Sequence, residues 1–138
     1  MSGESDLTKL LGGMRPELNP GRYVFCTVAG SVVPPGVHPV ATVAEAEGLT
    51  LVLRQEEADA ERLAYDYVAG WITLRIHSAL DAVGLTGAFA RELAAAGLSC
   101  NVIAGYHHDH LFVPVERATE AVALLEALAA RSATGTQA

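Results

Sequence analysis

His107-His108-Asp109-His110 is the densest run of metal-ligating and titratable side chains in the sequence. Alternate residues of a strand share a face, so His108 and His110 would point together, and a carboxylate or third imidazole would complete a zinc-type ligand set. Adjacent residues at a turn rarely converge on one ion, and His107 and Asp109 would then face away. The preferred reading is an exposed polar hairpin with Asp109 supporting the turn. A second group, Ser78-Ala79-Leu80-Asp81, has the offset of a capping box with Asp in place of Glu or Gln, and Gly84 follows it. An open helix N-terminus offers N–H groups to a carboxylate, Gly84 permits close backbone approach, and Asp81 can accept an ammonium. Equally, Asp81 caps its own helix and Gly84 only makes a turn. His77-Ser78 is the nearest approach to a base beside a nucleophile, yet neighbours on a strand point to opposite faces. No Gly-rich phosphate loop, Cys-x-x-Cys pair or His-Glu-x-x-His helix is present. The chain therefore reads as a non-enzyme without cofactor or resident metal.

Composition narrows the partners. The 138 residues are 51% hydrophobic and 18% charged, with Lys+Arg 9 against Asp+Glu 16 and a formal net charge of -7. The length suits one compact domain, or two small ones sharing a core. An acidic chain without a basic run lacks the footprint of a phosphate-backbone binder, so nucleic acid is not an expected partner. The apolar content is too high for disorder, and no apolar stretch approaches the roughly 20 residues of a membrane helix. Met1 to Asp6 has neither the basic nor the apolar region of a secretory signal, and the expectation is a cytoplasmic protein. Cys26 and Cys100 sit among strand formers and read as small buried hydrophobes rather than a disulfide.

The elements that must position these residues follow from periodicity. Residues 5–13 predict a short helix capped by Ser5 or Asp6, and 15–21, with Pro16, Pro20 and Gly21, a connection. Residues 22–28 predict a strand, and 31–48 a mostly ordered loop in which Val40 to Ala44 can pair as an edge. A strand over 49–53 and a helix over 55–63 follow, the helix opened by Glu56-Glu57. Trp71 to His77 alternates strictly, with Ile72, Leu74 and Ile76 on the buried face. The helix after it carries Val83, Leu85, Phe89 and Leu93 and stops at Gly97, then a strand runs over 98–105. His107 to Asp109 is the turn, Leu111 to Val113 the returning strand, and Ala118, Ala121, Val122, Leu125 and Leu128 the apolar stripe of a last helix. Both halves read helix, strand, strand, helix, with 31–48 inserted in the first, which lacks an opening strand. This order predicts an α+β fold of two ferredoxin-like repeats that share or exchange strands, an antiparallel sheet with helices on one side. Trp71 would anchor the seam, its strand closing the first unit and opening the second.

The second half resembles an ACT domain. The strand Trp71 to His77, the Gly84 turn, and the helix Phe89-Ala90-Arg91-Glu92-Leu93-Ala94-Ala95-Ala96-Gly97 running into Leu98-Ser99-Cys100-Asn101-Val102-Ile103 carry the likeness. Ala104 to Pro114 and Glu47 to Leu53 resemble the small bacterial tandem ACT proteins, which are similar to the amino-acid-sensing regulatory domains of aspartate kinases. The resemblance implies a first repeat over 5–69, a second over 70–131 and a frayed tail over 132–138. It also implies a regulatory module that binds an amino acid or similar small metabolite between ACT units and works as a homodimer or through a partner. Its site residues would be Ser78, Leu80, Asp81, Gly84 and Leu85, opposite Asn101 and Ile103. The alternatives are a scaffold without ligand and a metal-binding protein using His107 to His110.

Overall fold

The computed structural model describes residues 6–76 and 82–134. In chain order its elements are α1 (Leu7–Gly12), β1 (Arg15–Val28), β2 (Ala41–Glu45), β3 (Gly48–Arg54), α2 (Gln55–Ala60), β4 (Val68–Arg75), α3 (Leu85–Ala95), β5 (Asn101–Ala104), β6 (Asp109–Pro114) and, after a 3-10 turn, α4 (Ala118–Ala133). The strands form one antiparallel sheet in the order β2-β3-β1-β4-β6-β5.

The expected connection over 15–21 is instead the first half of a long strand. Arg15 to Asn19 pair with β4 alone, the register then shifts, and Phe25 to Val28 pair with β3 alone. Pro16 is tolerated because its half of the strand is bonded on one side only, so no second ladder needs its missing N–H. Pro20 lies at the register shift, followed by Gly21 at φ 101. The two ferredoxin-like units consequently share two strands. The C-terminal half of β1 opens the first unit, which therefore does not lack an opening strand, and β4 closes it. β4 also opens the second unit, and the N-terminal half of β1 closes that one. In each unit the opening strand lies between the closing strand and the hairpin.

The four helices of the described residues pack on one face. Ile72, Leu74, Leu111 and Val113 from the sheet meet Leu10, Leu85, Phe89, Leu93, Ala121 and Leu125 from α1, α3 and α4. Beside this core, Val24, Cys26, Leu51 and Leu53 pack against Ala58 of α2 and Val37. Val37 belongs to the segment before β2, which stands where the first unit would carry a helix. Glu57 of α2 pins it, accepting from the His38 backbone N–H at 2.9 Å and sitting 3.1 Å from His38 Nδ1. That backbone bond, foremost, lowers the Glu57 carboxyl below its usual range. Strand and helix approach closely at Gly70, where a Cβ would lie 2.7 Å from the Ala118 Cβ. On the other sheet face no helix packs among the described residues, yet Tyr23, Val52, Ala69 and Phe112 are buried on it. Aromatic rings cover one another there: Tyr23 meets Trp71 edge-on at 5.2 Å, and Phe25 meets Phe112 at 5.5 Å across β4.

Three helix expectations change. α3 begins at Leu85 with Gly84 as its N-cap at φ 96, so Val83 is outside the helix and exposed, and the expected Ser78–Asp81 capping box lies outside the described residues. α2 stops at Ala60 rather than residue 63. α4 continues through Ala133, with Ser132 buried and its hydroxyl donating to the Leu128 carbonyl at 2.9 Å.

Candidate functional site

A cleft of about 680 Å³ opens where β1 begins and β4 ends, lined by Lys9, Leu10 and Gly13 around α1, Arg15 to Glu17, Arg75 and Ile76, and His108 of the β5–β6 turn. Pairing β1 against β4 sets Arg15 directly across from Arg75. Like charges at opposed positions repel, and one carboxylate relieves only part of this. Glu17 accepts from Arg75 Nε at 3.1 Å and lies 3.0 Å from a second Arg75 nitrogen, which holds the Glu17 carboxyl below its ordinary range and raises Arg75. Arg15 and the Lys9 ammonium make no ion pair among the described residues. His108 Nδ1 is enclosed and finds no hydrogen-bond partner among the described residues. Three cationic side chains and an unsatisfied imidazole nitrogen thus surround one pocket in a chain of net charge -7.

The expected site residues scatter around this cleft. Ser78, Leu80 and Asp81 lie outside the described residues, in the segment that follows Ile76. Gly84 is exposed at its left-handed turn, and a Cβ there would come 3.1 Å from Leu7 Cδ2, so α1 touches both this turn and the cleft. Leu85 is buried under α3 in the main core. Asn101 and Ile103 fall on the helix-free face of the sheet, where Ile103 packs against the aromatic cluster. Leu85 is therefore not brought together with them.

The histidine run divides. The turn spans Gly105 to His108, closed by Gly105 N–H donating to the His108 carbonyl at 2.9 Å, and Asp109 already belongs to β6. His108 lines the cleft, and His110, beside Trp71 and Thr73, accepts from the Trp71 indole N–H at 3.1 Å. Asn19 donates to the Thr73 hydroxyl at 2.9 Å beside it. Among the described residues no group of three or more His, Cys, Asp or Glu is arranged to hold a metal ion. Burial pushes the Cys100 thiol up to about 11 and raises Cys26 as well, so neither is an activated nucleophile at neutral pH. Sequence reasoning missed Arg15, Arg75 and Lys9. The alternation of β4 set Arg75 on the Trp71 face, but its partner lay in a stretch read as a connection.

Residues 2–70 match an ACT-domain family model and residues 67–127 match a second ACT-domain model. A Vibrio cholerae protein of unknown function, described as a possible transport protein, is 49% identical over 89% of this chain and 95% of its own, with a TM-score of 0.80. An Agrobacterium tumefaciens protein at 17% identity covers 84% of this chain and 89% of its own, with a TM-score of 0.65. The aspartate kinase of Clostridium acetobutylicum, at 9% identity and a TM-score of 0.60, matches 84% of this chain with 34% of its own length. These last two share the fold. No curated protein matches the chain.

Proposed function

The chain belongs to the ACT-domain family of regulatory, small-metabolite-sensing modules, and from that membership we propose that it senses a free amino acid or similar small metabolite without catalysing a reaction. The observation that carries this reading is the cleft at the shared strands. It is large enough for an amino acid, it takes residues from strands that serve both units, and its lining includes Ile76, which in the chain closely precedes the residues that the family likeness marks for ligand contact. On this reading Ser78, Leu80, Asp81 and Gly84 contact the ligand, with Asp81 accepting its ammonium. Leu85 acts from the core, and Asn101 and Ile103 serve a contact on the open face rather than the cleft. Along the sequence the repeats divide near residues 69 and 70, inside the strand β4 that both units share, while the first half of β1 completes the second unit, and the protein acts in the cytoplasm. The outer strands β2 and β5 keep one edge each for a second copy, so the signal passes through a homodimer or a partner protein. No described helix is long and apolar enough to cross a membrane.

A thermal-shift panel of the free amino acids on refolded, ligand-stripped protein tests the reading. A ligand at about 100 times its dissociation constant adds about 2.7 kcal/mol, which moves a domain of this size by several degrees. The expected result is a shift with a subset of the panel that Asp81→Ala abolishes. A flat panel would leave a scaffold without ligand as the better account.

A further inference from the structure

We propose that the ligand of this cleft is acidic, carrying at least two negative groups, as a dicarboxylic amino acid or a related dicarboxylate does. The inference rests on the sensing reading and adds the charge class of what is sensed. Arg15 and Arg75 stand opposite each other on adjacent strands, an arrangement that repels unless an anion lies between or beside them. Glu17 provides one carboxylate and is engaged by Arg75, which leaves Arg15 and the Lys9 ammonium without an ion pair among the described residues, the Asp6 carboxylate being bonded to the Lys9 backbone N–H. A monocarboxylate would neutralise one of these two charges, whereas a dianion answers both, and the planar fork of an arginine suits a carboxylate bidentately. His108 Nδ1, enclosed at the same pocket without a partner, supplies a further hydrogen-bonding group for a ligand oxygen or ammonium according to its tautomer. Two arginines on opposed positions of adjacent strands in a chain of net charge -7 are a placement that an anionic ligand would account for.

Isothermal titration of the full chain at low ionic strength tests this, with L-aspartate, L-glutamate and succinate set against L-asparagine, L-glutamine and L-alanine. The acidic compounds are expected to bind at least tenfold more tightly than their amides, and raising the salt should weaken them. Arg15→Gln should lower that affinity at least tenfold while the melting temperature of the ligand-free protein stays level or rises, because the cross-strand repulsion is gone. Lys9→Gln should weaken binding in the same sense. Equal affinity for acids and amides, or acid binding indifferent to both substitutions, would overturn the charge assignment and leave the sensing reading standing. If no amino acid or dicarboxylate binds, both fall together.

Discussion

His110 accepts a hydrogen bond from the Trp71 indole at Nδ1, so its ring proton sits on Nε2 and the imidazole is neutral. Burial, foremost, pushes its pKa below the ordinary value, the His108 charge acts in the same direction, and Asp109 opposes them. The unfolded imidazole takes a proton near pH 6.5, the folded one only at lower pH, so the contribution to stability is complete above about 6.5 and lost as pH falls through the folded value. The melting temperature of the wild type should therefore drop further between pH 7 and 5 than that of His110→Gln. A difference between the two proteins that does not vary with pH would remove His110 as the cause. Burial raises Asp109 in the other direction, and because both proteins retain that residue, its own desolvation largely cancels in the comparison. At this scale the sequence was partly legible. The chemistry of the histidine run was visible, but the turn placement that sends His108 and His110 to different surroundings depends on which residues close the hairpin. A one-residue displacement of the turn exchanges the faces.

The element that most changes the picture is β1. Its first half carries Pro16 and Pro20, local signals against a strand, and only the availability of β4 as a one-sided partner makes it pair. No window of the sequence contains that information. By contrast β4, α3 and α4 were readable because each presents an uninterrupted period: Ile72, Leu74 and Ile76 alternate into the core, and Leu85, Phe89 and Leu93 recur at helical spacing. The cap of α3 was not readable, since Ser78 and Asp81 carry stronger capping signals than the Gly84 that stands there. The β4–α4 contact yields a direct test. Gly70→Ala places a methyl 2.7 Å from the Ala118 Cβ, inside the range at which backbone must move. Overpacking of this kind costs about 1–3 kcal/mol, which denaturant unfolding will register as a lower midpoint. Gly70→Ala combined with Ala118→Gly should recover much of that loss. Wild-type stability in the single variant would contradict the close approach.

At the scale of the molecule, two ferredoxin-like units are fused through β1 and β4, so neither is complete without a strand that also serves the other. The internal repetition was visible in the sequence, as was the need to share strands in 138 residues. The cleft was not, because it arises from a register that joins Arg15 to Arg75, 60 positions further along the chain, and from a turn that adds His108. Because the cleft takes strands common to both units, a ligand there would stiffen the seam, which is how a small module can report occupancy to a second copy or a partner. Backbone hydrogen exchange, followed with and without a saturating ligand from the titration panel, tests this central claim most directly. The account predicts slower exchange at residues 9–17, 75–85 and 105–110, with β2 and α2 unchanged. Protection confined to β2, β3 and α2, or none in the presence of a bound ligand, would contradict it.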